Sequence, residues 1–442
     1  MRRPAPCVQV PQRRPARAPG FVGHATGFLM TRVAPHTRGF HDGELNEQIT
    51  RFVVPTRAAT TGGARYNMTC KERVLAALRR QDVDYAPCLP IFWSSPEAAG
   101  YLWTGEEERL DVCLNRLGVD ALVDFGITQT PHPEVHERVW QDQPPGEAVP
   151  VIHKIIQTPA GELSCTVRKT GDWPHGADIP LMSDFVVSRI VKPWIETEQD
   201  MDCLAYCRRP PDVTVAQVQE QLAPVRELAD RYSVPIRAAI GEGLTCSLSL
   251  FGAERAVMAS VEQPELLDRL ADLEHQVAVR RISLLAQAGV DLLARNGFYE
   301  TTDFWSPAQL DHLLKDRLAR EVELAHSAGL PVAYTVCTGV MPMLDYLRDL
   351  GFDALFGVEP ALGNQDMAQI ARRVGPVSCI WSGLSAPIHI GLGDPDSVSE
   401  AVAQFYQVFG KRGTILAATP SIRPHWPWEN TMAMIREWKR QR

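Results

Sequence analysis

The sequence predicts a (β/α)8 barrel, the TIM-barrel fold, preceded by a disordered leader and carrying an inserted β-hairpin. The main observation is a regular alternation: eight apolar runs, each followed by a helical segment, lie between residues 85 and 440. A second observation is that residues 288–339 contain every signal expected of one strand–helix–strand unit. Eight strand-then-helix units favour a closed parallel barrel over a doubly wound open sheet, which is the alternative.

The unit over 288–339 contains every expected signal. An apolar strand at 290–294 leads to a helix that Ser306 can cap, with Gln309 placed to reach back as a capping box. A second strand follows at 331–336 and delivers Cys337 at its carboxyl end. Ligands bind at that end of the strands in parallel α/β proteins, so we expect the functional site there.

The remaining elements follow in order. Helices are predicted at 70–80, 106–117 and 213–231, with the first strand at 85–93, where Pro87 and Pro90 suggest an irregular, edge-like segment. Segments 151–157 and 163–169 flank a Thr-Pro-Ala-Gly turn and predict a β-hairpin above the barrel. The other strands are predicted at 121–127, 235–240, 354–358, 377–381 and 414–418.

Composition limits the class of protein. The chain has 442 residues, 45% hydrophobic and 22% charged, which is typical of a globular enzyme-sized protein. No apolar run reaches the length of a membrane span, and the net charge of −8 gives no reason to expect nucleic acid as a partner. Ten scattered cysteines without a CxxC pair indicate a reduced, cytoplasmic chain.

Residues 1–67 differ from the rest, with ten Arg, no Lys and three acidic residues. This leader has no apolar periodicity, so we predict that it is disordered and that the barrel covers 68–442. An organelle transit peptide would have a similar composition. A reading frame begun too early is a third interpretation, since Met68 directly precedes a capping box at Thr69 and Glu72.

Several motifs are similar to a known family. Asp-Tyr-Ala-Pro at 84–87, Gly-Glu-Gly at 241–243, Phe-Gly-Ala-Glu at 251–254 and Pro-Trp-Glu-Asn at 427–430 resemble the uroporphyrinogen decarboxylase superfamily. That resemblance implies a (β/α)8 fold. It also implies one of two activities: decarboxylation of a porphyrin, or methyl transfer between a corrinoid protein and a thiol or other acceptor.

Neither catalytic signature of that superfamily is complete. The porphyrin decarboxylases carry Arg-Gln-Ala-Gly-Arg after the first strand, where this chain has Trp-Ser-Ser-Pro-Glu at 93–97, and an aspartate after the second strand, near Ile127 and Thr128 here. A polycarboxylate substrate requires several cations, so the porphyrin reaction is disfavoured. The methyltransferases bind zinc through His-x-Cys and a later Cys. Here those positions read Thr335, Cys337 and approximately Thr419.

The candidate catalytic residues are Glu242, Cys337 and Glu359, each at the end of a predicted strand. The two carboxylates can exchange a proton, and all three side chains together are a possible substitute zinc site. The alternative for Cys337 is a core-filling residue, and for Glu242 a charge at a helix N-terminus. Candidate substrate-binding residues, each of which can instead have a packing or ion-pairing role, are Trp93, Arg295, Asn296, Trp381 and His425.

The resemblance, taken with these residues, implies demethylation of a small methylated substrate, with zinc as a possible metal and the corrinoid supplied by a partner protein that docks at the barrel mouth. One alternative is a decarboxylase acting on a carboxylated substrate smaller than a porphyrin. Another is a barrel that binds a ligand without catalysis, because both sets of signature residues are incomplete.

Overall fold

The computed structural model describes residues 67–442, so the predicted leader lies, except for Asn67, outside the described residues. Eleven strands are found in residues 67–442 and form two sheets. They are β1 (Val123–Phe125), β2 (His136–Asp142), β3 (Val151–Thr158), β4 (Gly161–Arg168), β5 (Ile190–Lys192), β6 (Ile236–Gly241), β7 (Leu292–Asn296), β8 (Val332–Thr335), β9 (Ala354–Phe356), β10 (Cys379–Ser385) and β11 (Thr414–Thr419).

Fourteen α-helices occupy the same part of the chain, some extended by short 3-10 or π-helical turns. They are α1 (Cys70–Leu78), α2 (Glu106–Asp111), α3 (Asp184–Val187), α4 (Glu198–Cys207), α5 (Val215–Tyr232), α6 (Ser247–Phe251), α7 (Ala253–Glu262), α8 (Pro264–Ala288), α9 (Pro307–Leu310), α10 (Asp316–Ser327), α11 (Leu344–Asp349), α12 (Met367–Arg373), α13 (Pro395–Phe409) and α14 (Trp428–Gln441). None of these helices is both long enough and apolar enough to cross a membrane.

The larger sheet has the strand order β1-β6-β7-β8-β9-β10-β11, and every pairing in it is parallel. The segment at 85–93 lies between its two edges: the Cys88 carbonyl accepts a hydrogen bond from the Asp120 amide at 2.8 Å, and the Leu89 amide donates to the Leu416 carbonyl at 2.8 Å. The sheet is therefore curled, with helices outside it, as in a TIM barrel. Its interior is called the lumen below.

The smaller sheet, β2-β3-β4-β5, is antiparallel and lies in the chain between β1 and β6. Strands β3 and β4 pair from Val151 with Arg168 to Thr158 with Gly161 across a tight turn. One face of this pair is buried through Ile152, Ile156 and Leu163. Alternation of buried and exposed residues explains why the sequence pattern indicated strands here.

Several predicted strand limits differ from those in the structure, such as those of β1 and β9, which are shorter than predicted. The segment at 85–93 is extended but makes only isolated bridges, because Pro87 and Pro90 have no amide hydrogen to donate. Strand β7 ends at Asn296 rather than at residue 294, so Arg295 and Asn296 belong to the strand. Strand β10 continues to Ser385, four residues beyond Trp381.

Helix starts are predicted more accurately than strand ends. Thr69 and Glu72 form the predicted capping box of α1, and Ser306 and Gln309 form that of α9. Both boxes are local, since each side chain bonds to a backbone amide three residues away. The sequence therefore specifies them without reference to the rest of the fold.

Candidate active site

The parallel strands deliver the candidate residues to one edge of the sheet. Glu242 follows β6, Cys337 lies two residues beyond β8, Glu359 lies three residues beyond β9, and Thr419 ends β11. Carboxyl ends of parallel strands share an edge, so all four residues fall at the end of the sheet that forms the mouth of the lumen. Thr419 is fully buried, and its hydroxyl donates to the Leu384 carbonyl at 3.3 Å.

Glu242 is partly buried, and Asn296 is its direct side-chain partner. The Asn296 side-chain amide donates a hydrogen bond to Oε2 of Glu242. The Asn296 oxygen in turn accepts from the Phe298 amide at 3.2 Å, which fixes the orientation of the side chain. Burial raises the pKa of Glu242 above its usual value, while the Arg208 guanidinium opposes the rise.

The buried ion pair Arg208–Glu274 fixes the backbone amide of Glu242. Its amide donates to Oε2 of Glu274 on α8 at 3.2 Å, and Arg208 donates to both oxygens of Glu274, with Nη2 to Oε2 at 2.7 Å. Glu274 is 2% exposed and Arg208 is 7% exposed. Burial tends to raise the pKa of Glu274, but Arg208 outweighs it and holds that pKa below its usual value. The charged carboxylate of Glu274 is therefore the acceptor that fixes the Glu242 amide.

A second buried ion pair, Arg295–Glu300, fixes the backbone amide of Leu244, two residues after Glu242. Oε1 of Glu300 accepts from the Leu244 amide at 2.7 Å and from Nη2 of Arg295 at 3.2 Å. Gly243 lies between these groups with φ +50, and a Cβ there would meet Nη2 of Arg295 at 2.0 Å. The turn that carries Glu242 is thus closed on both sides by buried Arg–Glu pairs and leaves no room for a side chain at Gly243.

Arg295 faces the surrounding helices rather than the lumen. It is 2% exposed, and besides Glu300 it donates from Nε to Oε2 of Glu321 on α10 at 3.0 Å. The structure does not support the predicted substrate-binding role, because the guanidinium is buried and is already paired with Glu300 and Glu321. The alternative considered for this residue, a structural salt bridge, is what the structure shows.

Glu359 and Cys337 lie next to each other, beyond the ends of the neighbouring strands β9 and β8. The Glu359 amide donates to the Cys337 carbonyl at 3.1 Å, and the Ala361 amide donates to Oε1 of Glu359 at 2.8 Å. Burial raises the pKa of Glu359. Burial, with contributions from the carboxylates of Glu359 and Asp303, raises the pKa of the Cys337 thiol to about 12. The thiol is therefore protonated and weakly nucleophilic at neutral pH.

These donors do not fit a zinc ion. Within residues 67–442, no three His, Cys, Asp or Glu side chains are arranged so that they could hold a metal. Glu242 is bound to Asn296, Glu359 accepts from its own loop, and burial together with the carboxylates of Glu359 and Asp303 disfavours the thiolate of Cys337. Zinc requires about three converging, deprotonated ligands, and the three predicted ligands do not supply them.

The predicted substrate-binding aromatic residues are dispersed. Trp93 is 56% exposed at the rim, where the Arg423 guanidinium lies 4.0 Å from its ring centroid. His425 is exposed in the loop after β11, with its ring centroid 6.0 Å from that of Trp426. Trp381 is fully buried and packs against Phe356 with centroids 4.9 Å apart. Trp381 therefore belongs to the wall of the lumen and not to its rim.

Below the mouth, the lumen contains an ion pair that the sequence analysis did not identify. Asp124 of β1 pairs in register with Arg237 of β6, and Nε and Nη2 of Arg237 donate to the two carboxylate oxygens at 2.7 and 2.9 Å. The Arg237 guanidinium lies 5.7 Å from the ring centroid of Trp381. Strands β6 and β10 are not neighbours in the sheet, so this contact crosses the lumen.

The missed residues had a detectable signal. On α8, Glu274 and Arg281 fall on the same helical face as Leu267, Leu270 and Val277, so charges interrupt an otherwise apolar buried stripe. Asp124 and Arg237 are likewise single charges within the apolar strand sequences Val-Asp-Phe and Ile-Arg-Ala-Ala-Ile-Gly. Charged residues at core-facing positions require partners, and this is the pattern that indicates an internal ion pair.

Comparison with known families gives a match over residues 176–441, more than half of the chain, to the family described as uroporphyrinogen decarboxylase (URO-D). Two relatives, both named methylcobamide:CoM methyltransferase MtaA, come from Methanosarcina barkeri and from its strain Fusaro. The first is 24% identical over 221 residues, which is 50% of this chain and 62% of the relative. The matched part thus spans less than two thirds of these relatives.

A solved structure with a similar fold is described as a methyltransferase from Methanosarcina mazei. It aligns with 85% of this chain and 99% of its own, with a TM-score of 0.53 and 17% identity. At that identity the similarity concerns the fold alone.

Proposed function

Because the chain belongs to the uroporphyrinogen decarboxylase family, we propose that it transfers a methyl group from a small methyl ether to a corrinoid carried by a partner protein. The observation that carries this proposal is Glu242, a carboxyl group of raised pKa fixed at the mouth of the lumen. The names of the relatives, methylcobamide:CoM methyltransferases, support methyl transfer as the reaction type.

In this mechanism Glu242 acts as a general acid. A reduced corrinoid would supply the electron pair that forms the new bond to the methyl carbon. When the bond between methyl carbon and ether oxygen breaks, its electrons remain on the oxygen, and protonated Glu242 gives that oxygen its proton. An alcohol is released, and Glu242 regains a proton from solvent. A raised pKa keeps the carboxyl group protonated at higher pH than usual, which this role requires.

The surroundings of Glu242 suit a positioned acid. Asn296 holds Oε2 of the carboxyl group, so Oε1 is the oxygen that would face a substrate. The amides of Glu242 and Leu244 are held by buried Glu274 and Glu300, so the turn that carries the acid is rigid. Rigid placement of the acid reduces the reorganisation needed during proton transfer.

The rim supports docking of a partner protein that carries the corrinoid. Trp93, Leu362 and Leu392 are 56%, 43% and 81% exposed, and each lies in a segment that follows the carboxyl end of a strand or strand-like segment. Exposed large apolar side chains around a concave site are typical of a protein-binding surface. A partner seated on them would close the mouth above Glu242 and exclude water from it.

The test uses the full chain with chemically reduced cobalamin and a panel of small methyl ethers, methyl thioethers and methylamines. Formation of methylcobalamin is followed by its absorption spectrum. We expect transfer from a methyl ether, and a rate about 100-fold lower for Glu242→Gln, because that variant keeps the shape but cannot donate the proton. Glu220→Gln, on the exposed face of α5, is the matched control and should keep the wild-type rate.

Two results would contradict the proposal: no transfer from any ether on the panel, or an unchanged rate in Glu242→Gln. Release of CO2 from a carboxylated compound, with no methylcobalamin, would support the decarboxylase alternative instead. The melting temperatures of both variants show whether a lost rate reflects chemistry or unfolding.

A further inference from the structure

The Asp124–Arg237 ion pair is unusually accessible for a charge pair inside a barrel. The Asp124 side chain is 65% exposed, whereas that of Arg237 is 18% exposed. Both face the lumen, because they are register partners and Arg237 reaches Trp381 across it. Solvent therefore reaches Asp124 from within the curled sheet.

The space beside the pair comes from small side chains. Ala239, Ala294, Ala333 and Ala354 are register partners across β6, β7, β8 and β9, and they form one row of the lumen. In most TIM barrels such rows are filled by Val, Ile and Leu. Ala239 is exposed and Ala294 is partly exposed, so the open part of the lumen lies along β6 and β7.

This open part includes Ala239, which lies on β6 between Arg237 of the ion pair and Glu242 at the mouth. Arg237 is the second residue of β6, and Glu242 directly follows that strand. Five residues of strand separate their Cα atoms by roughly 16 Å. The side chains of Arg237 and Glu242 occupy part of that distance. The remaining distance suits a small organic molecule that contacts Arg237 at one end and Glu242 at the other.

We propose that Asp124 and Arg237 form a subsite for a neutral hydroxyl group at the far end of the substrate, so that the substrate class is a hydroxylated methyl ether. This inference rests on the proposed function, since it places the ether end at Glu242. Each oxygen of Asp124 accepts one bond from Arg237 and retains a lone pair that can accept a ligand O–H. Within the described residues, Nη1 of Arg237 has no protein acceptor and can donate to the same ligand oxygen.

The charge of the pair excludes the other common end groups. A carboxylate would gain from Arg237 but would be repelled by the more exposed Asp124. An ammonium group would be attracted by Asp124 but repelled by Arg237. Of these three end groups, only the hydroxyl both donates and accepts, so it can satisfy both partners without adding a net charge.

The test measures binding and not turnover. Isothermal titration calorimetry on the full chain compares three rigid methyl ethers that differ only at the far end: 4-methoxyphenol, 4-methoxybenzoate and 4-methoxybenzylammonium. We expect 4-methoxyphenol to bind at least about 10-fold more tightly than either charged analogue, since a site that hydrogen-bonds a hydroxyl group rejects ligands that leave its partners unmet.

Single variants at Asp124 and Arg237 should change the ligand preference in opposite directions, because each leaves the opposite net charge in the site. Asp124→Asn leaves the site with a net positive charge, so its preference should change to 4-methoxybenzoate. Arg237→Gln leaves a net negative charge, so its preference should change to 4-methoxybenzylammonium. The double variant Asp124→Asn with Arg237→Gln has no unpaired charge and should lose discrimination while remaining folded. Asp230→Asn, exposed on α5, should behave as the wild type.

The proposal is overturned if the wild type prefers a charged analogue, if none of the three ligands binds, or if the two single variants change preference in the same direction. Its failure is distinct from failure of the proposed function. Selective binding of 4-methoxyphenol without methyl transfer to reduced cobalamin would contradict the function alone. Transfer from methyl ethers irrespective of their far end would contradict the subsite alone.

Discussion

Asn296, the last residue of β7, donates its side-chain amide to the carboxylate of Glu242, the first residue after β6. The two strands are neighbours in the sheet, so this bond is a direct result of parallel pairing. It stabilises the charged form of Glu242 and opposes the effect of burial on its pKa. Four predictions test this relationship and the structure around it.

The first concerns the pH dependence of the proposed reaction. If protonated Glu242 is the active form, the rate falls as pH rises through its pKa. Asn296→Leu removes a hydrogen bond that favours the charged form, so the pKa of Glu242 rises and the fall in rate moves to higher pH. The pH–rate profile of methyl transfer to reduced cobalamin measures this. A shift to lower pH would show that Asn296 does not stabilise the carboxylate.

The second concerns the ion pair Arg208–Glu274, which fixes the backbone amide of Glu242. Arg208→Met leaves Glu274 buried without its main partner and should lower the free energy of unfolding by about 3 kcal/mol. Urea denaturation measures this, and Arg348→Met, which breaks the exposed Arg348–Asp345 pair, is the matched control, with an expected loss below about 1 kcal/mol. Equal losses in the two variants would mean that the buried pair has no special structural role.

The third concerns Gly243. Its Cβ would meet Arg295 and Glu300 at 2.0 and 2.1 Å, so Gly243→Ala should displace the ion pair and destabilise the protein by about 2 kcal/mol or more beyond the cost of its positive φ. Gly100→Ala is the control, because Gly100 also has a positive φ but has nothing within 4 Å of the added Cβ. Thermal unfolding compares the two. Similar losses would show that only backbone conformation matters at Gly243.

The fourth concerns Cys337. With a thiol pKa of about 12, it should have roughly 10³-fold less thiolate at neutral pH than an ordinary cysteine and should react correspondingly slowly with iodoacetamide. Its reaction rate should increase as pH is raised towards 12, as followed by mass spectrometry. Cys337→Ala should leave the metal content of the purified protein unchanged. Rapid alkylation at neutral pH, or zinc that is lost in this variant, would restore Cys337 as a metal ligand.

The sequence by itself determined the features that depend on local chemistry. The capping boxes at Thr69 and Ser306, the alternation of strands and helices, and the position of Glu242, Cys337 and Glu359 beyond strand ends were all predictable. Each depends on residues close together in the chain, whose spacing sets hydrogen bonding and burial. Parallel pairing then brings the strand ends to one edge without further information.

Only the tertiary structure decided which charges meet. Arg295 is a polar residue near a strand end, and its role as a partner of Glu300 and Glu321 depends on which side of β7 it faces. The pairs Arg208–Glu274 and Asp124–Arg237 join residues 66 and 113 positions apart in the chain. Such contacts are set by the packing of whole elements, and the electrostatic energy of a charge depends on that environment. Spacing along the chain does not contain this information.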